Sequence, residues 1–264
     1  MSADSKQPVR LEIAEGIARV IFDRPESLNA IDVETSECFL ALCQELQARE
    51  DVRVIVLSGT GRAFMAGGDL AAFHAADDPA ALASAIIQPL HQALTVLEQL
   101  PQPVIGSVHG AVTGAGMSLA LGCDLTIAAE DARFCLAYLG IATSLDGGGS
   151  WHVLRQIGLQ RAMEMALLNT VLSAEQALQL GLIARVAPAA ELLTQSHEFA
   201  LRLASGPTFA YGQVKRLLRQ AGTHTLQEQL DAEHEAFRAC AGTQDFREGI
   251  AAFFAKRKAA FTGR

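Results

Sequence analysis

Gly110-Ala-Val-Thr-Gly114-Ala-Gly116-Met-Ser118-Leu-Ala-Leu-Gly-Cys-Asp124 is the stretch whose reading decides the fold. The apolar run before it, Pro103-Val-Ile-Gly-Ser-Val108, predicts a buried strand. After the glycines, Met117, Leu119, Ala120 and Leu121 open a helix of small residues. A strand, a glycine turn and a helix start together aim main-chain N–H groups and a helix dipole at developing negative charge. The glycines let the backbone approach a ligand with no Cβ in the way. A dinucleotide fingerprint is a poor match, because Leu119 stands at its sixth position. A hydrolase elbow lacks its closing glycine in Gly116-Met-Ser118-Leu-Ala120. An oxyanion hole and a simple close helix–strand contact both stay open.

Upstream lies a second turn of the same kind. Phe64-Met-Ala66-Gly67-Gly68-Asp69-Leu70 follows the buried-strand run Val54-Ile-Val-Leu57. Two glycine turns, each after a strand, are able to place two N–H donors around one carbonyl oxygen. With these in view the chain resembles the crotonase (enoyl-CoA hydratase/isomerase) superfamily over nearly its whole length. The resemblance rests on Arg24-Pro25 with Leu28-Asn29-Ala30, on the Phe64–Leu70 turn, and on Pro103-Val with Gly110, Gly114 and Gly116. Cys123-Asp124 and the tail Asp245-Phe-Arg-Glu-Gly249, Lys256-Arg257 and Phe261 complete it.

The resemblance implies an α/β fold, a crotonase-type ββα spiral core with a C-terminal α-helical oligomerisation region. Gly206-Pro207 marks the expected boundary, giving a core over 1–205 and a trimerisation region over 206–264. It implies an acyl-CoA thioester as substrate, coenzyme A being part of that substrate, with no separate cofactor and no metal. It also implies that Ala66 and Ala115 hold the thioester oxygen through their N–H groups, and that the protein is a homotrimer or dimer of trimers. CoA-binding residues carried over are Arg24, Leu28, Ala66, Gly68, Lys258 and Phe261.

The chain departs from the hydratase pattern at the acid and base. Where hydratases carry two glutamates it has Ser118 and Tyr138, neither of which titrates near neutral pH unaided. Asp146, in Leu145-Asp146-Gly147-Gly148-Gly149, sits where isomerase-like members carry an aspartate. A lone carboxylate suits double-bond migration, and isomerisation with Asp146 as proton shuttle is the favoured activity. A helix N-cap is its bland role. Hydration with atypical residues, an acyl-CoA-binding protein without turnover, and a dehalogenase-like nucleophilic Asp146 are the alternatives. In the last, His91 on the upstream helix activates water, as in the chlorobenzoyl-CoA dehalogenase branch. His91, Tyr138 and Ser118 are therefore accessory candidates, each with a packing role as its plain alternative.

Composition bounds the rest. At 264 residues and 50% hydrophobic, the chain has enough apolar surface for a sizeable core. A net charge of −8, with no basic stripe, argues against nucleic acid as a partner. Five cysteines without a C-x-x-C pair read as reduced thiols and a cytoplasmic setting. No N-terminal apolar signal core is seen, and no run is expected to span a membrane. The remaining histidines lack metal-site spacing.

Local signals place the other elements. Residues 11–14 and 17–22 alternate around Glu15-Gly16 as a hairpin. Asp32 caps a helix to about Ala48; another starts at Asp78-Pro79 and is expected to kink at Pro89. Residues 125–128, 134–137 and 182–186 are expected strands. A helix starts near Trp151, and Ser173 with Gln176 forms a capping box for another. From Glu191 onward only helical periodicity is visible.

Overall fold

A computed structural model describes residues 7–264. Strands β1 (Val9–Ala14), β2 (Ile17–Phe22), α1 (Val33–Gln47) and β3 (Val54–Gly59) open the chain. Then come α2 (Leu70–Ala75), α3 (Pro79–Gln99), β4 (Val104–Val108), β5 (Ala111–Thr113), α4 (Ala115–Gly122) and β6 (Leu125–Ala129). They are followed by β7 (Arg133–Cys135), α5 (Gly149–Ile157), α6 (Leu159–Leu167), β8 (Leu172–Ser173), α7 (Ala174–Gln179) and β9 (Arg185–Ala187). Helices α8 (Leu192–Ala204), α9 (Thr208–Gln220), α10 (Leu226–Ala241) and α11 (Gln244–Phe254) end it.

The main sheet has the order β1-β2-β3-β4-β6-β9, antiparallel at the β1–β2 hairpin and parallel from β2 onward. A second sheet has the order β5-β7-β8, parallel between β5 and β7 and antiparallel between β7 and β8. Parallel strands covered on both faces read as unbroken apolar runs. β4 is buried at every position for that reason. Helix α8 covers one face, where Val54, Val56, Ile105 and Ile127 pack with Leu192 and Ala200. On the other face Phe22, Leu57, Phe39 and Leu90 belong to the larger core that α1 and α3 close.

Asp32 caps α1 through Thr35 N–H, and Ser173 with Gln176 forms the expected capping box. Helix α3 continues through Pro89 to Gln99, as expected. Differences from expectation are local. The same helix is 21 residues long and holds an 18-residue window of mean hydropathy 1.3. Among the described residues one helix is therefore able, by length and composition alone, to cross a membrane, contrary to the expectation that none is. Its buried residues Ile86, Leu90, Ala93 and Leu97 recur at helical spacing and face the core. The strand expected over 134–137 stops at Cys135, because Ala137 adopts a left-handed conformation. The last strand spans only Arg185–Ala187, pairing with Ile127–Ala129. All five cysteine thiols are free.

Helix α9 is bound to the core through Asp124 of the organising stretch. Its carboxylate lies 2.9 Å from Lys215 Nζ and 2.7 Å from Arg219 Nη2, and accepts from Val104 N–H. Burial pulls the Lys215 ammonium below its usual range, with Asp124 opposing that shift.

Candidate active site

The two glycine turns are brought together by main-chain pairing. Met65 N–H donates to Ala111 C=O and Thr113 N–H donates back to Met65 C=O, so β5 runs beside the first turn. A Cβ built on Gly67 would lie 3.4 Å from the Thr113 carbonyl and 3.8 Å from Ala115 N. Gly116 approaches closer still, since a Cβ there would meet the Met65 carbonyl at 2.4 Å. Only glycine permits this contact.

The first turn is fastened from the N-terminal side. Asn29, 1% exposed, donates through Nδ2 to the carbonyls of Thr60, Ala63 and Phe64, while its Oδ1 accepts from Arg24 N–H. Ile31 N–H donates to Gly67 C=O, and Asp69 N–H donates to Ile31 C=O. Asp69 also caps α2 through Ala71 and Ala72 N–H.

Two expectations change here. The Ala66 N–H is committed to the Leu28 carbonyl at 3.0 Å, so it is not a donor for a ligand oxygen. Gly68 N–H, two residues on, and Ala115 N–H, at the first residue of α4, have no such turn or cap acceptor among the described residues. The Arg24 guanidinium is likewise committed, lying 3.0 Å from both Asp32 and Asp69 and donating to the Ala30 carbonyl. Two carboxylates already neutralise it, which removes the charge a CoA phosphate would need. Arg24 organises the loop instead.

The carboxylate side is built by side chains. Asp146 precedes α5 in a turn with Gly147 and Gly148 at positive φ. It does not cap α5, whose N-cap is Gly148 with no side-chain bond. His91 Nε2 lies 2.6 Å from Asp146 Oδ1, a hydrogen-bond contact across 55 residues of sequence. Side-chain exposure is 51% for His91 and 21% for Asp146, leaving both reachable. Ser118 is fully buried on α4, and its Oγ donates to the Asp146 main-chain carbonyl at 2.8 Å. Tyr138 Oη lies 3.1 Å from the same carbonyl and 3.0 Å from Ser118 Oγ. Burial pushes the Tyr138 phenol up to about 12, with Asp146 adding to the shift and Ser118 opposing it.

The structure thus gathers Ser118, Tyr138, His91 and Asp146 into one cluster, beside a pair of close glycine turns. The cluster joins α3, α4 and the segment after β7, a tertiary arrangement with no short-range signal. Lys258 and Phe261 fall elsewhere. They line a separate cavity of about 550 Å³ with Arg185, Phe199, Arg202 and Tyr211. Leu28, in a left-handed conformation, stays beside the first turn through its carbonyl. Trp151 is 51% exposed and stacked by Arg155, and Phe134 is a fully buried core residue. His109 donates to the Gly61 carbonyl as a structural histidine.

Comparison with known proteins agrees with this geometry. The family model for enoyl-CoA hydratase/isomerase matches residues 12–264. The chain is 36% identical over 256 residues to the 1,2-epoxyphenylacetyl-CoA isomerase of Escherichia coli (strain K12), covering 96% of this chain and 97% of that protein. It is 30% identical over 263 residues to 4-chlorobenzoyl coenzyme A dehalogenase-2 of an Arthrobacter species, covering 97% and 94%. The crystal structure of an enoyl-CoA hydratase from Polaromonas sp. JS666 matches with a TM-score of 0.91 at 31% identity, covering 96% of this chain and 99% of that one. With the fold, the paired glycine turns and the full-length match in agreement, the chain belongs to the enoyl-CoA hydratase/isomerase family.

Proposed function

We propose that the protein isomerises an enoyl-CoA through a thioester enolate, with Asp146 as the proton shuttle. The thioester oxygen is held by the N–H groups of Gly68 and Ala115, which stabilise it most when it becomes an enolate. Asp146 takes a proton from C2 of a 3-enoyl thioester and returns it to C4, so the double bond moves into conjugation with no net change of atoms. His91 holds the carboxylate in place through its 2.6 Å contact. The observation that carries this reading is the use made of positions 118 and 138. Both bear hydroxyls bonded to the Asp146 main chain, which leaves Asp146 as the carboxylate of the cluster. Hydration needs a separate base for water and acid for the α-carbon.

Asp146→Asn tests it. The variant should lose about 10³-fold in turnover of 3-hexenoyl-CoA, the range for a lost general base, and keep its thermal transition. Near-normal turnover removes Asp146 from the mechanism.

The 2.6 Å His91–Asp146 contact also favours a second reading, in which Asp146 attacks a halogen-bearing ring carbon of an aromatic acyl-CoA, halide leaves, and His91 activates the water that hydrolyses the resulting aryl ester of Asp146. A relative whose name is that of a dehalogenase supports it. Single turnover in ¹⁸O-water separates the two: label in Asp146 marks a covalent ester, and its absence excludes one. The same proposal includes a trimeric or hexameric assembly, supported by the exposed Phe237, Phe253 and Phe254 of the C-terminal helices and checked by sedimentation.

A further inference from the structure

The oxygens of Ser118, Tyr138 and the Asp146 carbonyl form a triangle with edges of 2.8, 3.0 and 3.1 Å. Each hydroxyl brings one proton and a carbonyl brings none. Three contacts therefore share two protons, and one edge is always without one. Both hydroxyls donate to the carbonyl, or Tyr138 donates to Ser118 and Ser118 to the carbonyl, or Ser118 donates to Tyr138 and Tyr138 to the carbonyl. In all three the carbonyl keeps a hydroxyl donor from outside the turn, beside the Gly149 N–H that donates to it at 3.0 Å from within. Loss of one hydroxyl still leaves the other within reach.

The turn itself is threaded onto Ser118. A Cβ built on Gly149 would lie 2.5 Å from Ser118 Oγ, and one on Gly147 would lie 3.2 Å from Ser118 Cβ. Glycine at these positions is what lets the Asp146 carbonyl come down on the hydroxyls. Tyr138 is presented by a short 3-10 turn, Tyr138–Ile141, with left-handed Ala137 and Ala142 at its two ends. Strained backbone of this kind persists only where neighbours hold it. Asp146 is then held at two points from different elements: its main chain from α4 and the Tyr138 turn, its carboxylate from α3 through His91.

We infer that Ser118 and Tyr138 are paired positioning residues, redundant hydroxyls that hold the Asp146 carbonyl and so aim its carboxylate at the substrate carbons. The inference rests on the reading of Asp146 as the catalytic carboxylate. The phenol ionises only near pH 12, so the pair stays intact across the working range.

The test is a double-mutant cycle with S118A, Y138F and S118A/Y138F in the full chain, using 3-hexenoyl-CoA turnover and deuterium exchange at the α-carbon of phenylacetyl-CoA. Each single variant should lose about 2- to 5-fold in kcat, and the double variant about 50-fold or more, well beyond the product of the singles. KM should stay within about 2-fold throughout, because the contact of the thioester with its donors is untouched. The acidic limb of the kcat/KM profile should move in the double variant alone, since the carboxylate then leaves His91. A purely structural pair would change thermal stability and leave that limb in place. If S118A/Y138F does not fold, S118C/Y138F keeps both side-chain volumes and replaces it. A double variant whose loss equals the product of the singles, or follows its thermal stability, overturns the inference. D146N separates the two levels. With D146N inactive and the double variant near wild type, the clamp fails and the Asp146 reading stands; with D146N active, both fail.

Discussion

The turn at 110–116 and the turn at 146–149 sit side by side, yet they are held by different means. The first is secured by main-chain hydrogen bonds to residues 65 and 135 and by carbonyls that close in on Gly110 and Gly116. No side chain there needs a particular functional group. The second turn closes on itself through Gly149 N–H to Asp146 C=O and is anchored to the rest of the molecule by a serine, a tyrosine and a histidine from three separate segments. A scaffold of backbone can stay constant while side chains around it change. A carboxylate held by side chains changes its task when those side chains change. The chain is similar in sequence to proteins named as an isomerase and a dehalogenase, and in fold to a structure named as a hydratase. The difference between the two turns gives that spread a physical basis.

Substitutions should separate the two regions. Asp146→Asn has the largest effect, about 4 kcal/mol in transition-state stabilisation for a 10³-fold loss, with the thermal transition unchanged. Gly110→Ala strikes the other turn. Its Cβ would meet the Arg62 carbonyl at 2.1 Å with φ at +54°, so urea denaturation should show a loss of about 3 kcal/mol. Activity should fall with it, in proportion to the unfolded fraction. If G110A folds normally but turns over slowly, the main-chain turn is less rigid than its contacts imply.

Acid sharpens the comparison further. His152 packs against Gly122 and Gly148, and its imidazole is pulled down to about 4 by burial, with Arg219 and Arg155 adding to the effect. Above pH 6.5 the ring is neutral in both folded and unfolded chains. As pH falls from 6.5 toward 4, only the unfolded chain takes up the proton, so stability declines by up to about 3 kcal/mol and then levels. Denaturant midpoints between pH 7 and 4 should fall less steeply in His152→Gln; equal slopes would remove His152 as the cause. The smallest effect belongs to Arg49→Ala, whose contact with Asp51 is fully exposed. Its melting temperature should stay within about 1 °C of wild type.

Legibility in the sequence follows the same division. Pro103–Val108 and the glycines announce a strand and a close-approach turn because local composition alone decides them. Asp32 and Ser173 announce helix starts for the same reason. What stayed hidden depends on partners distant along the chain. That Ala66 N–H is taken follows from Leu28, 38 residues earlier, and that Arg24 is neutralised follows from Asp69, 45 residues later. The departures at 118 and 138 were visible as missing glutamates. Their convergence on one carbonyl was not, since Ser118 and Tyr138 meet across a 20-residue excursion through β6 and β7. The short strand β5 was concealed inside the glycine stretch because three residues carry no period to read.

Asn29 ties these themes to stiffness. Its amide reaches three carbonyls over residues 60–64, directly after β3, which pairs in parallel with β2. The loop at 60–64 is thereby riveted to the sheet through one side chain. It inherits the rigidity of that sheet, so the glycine turn that follows it is moulded in advance of any guest.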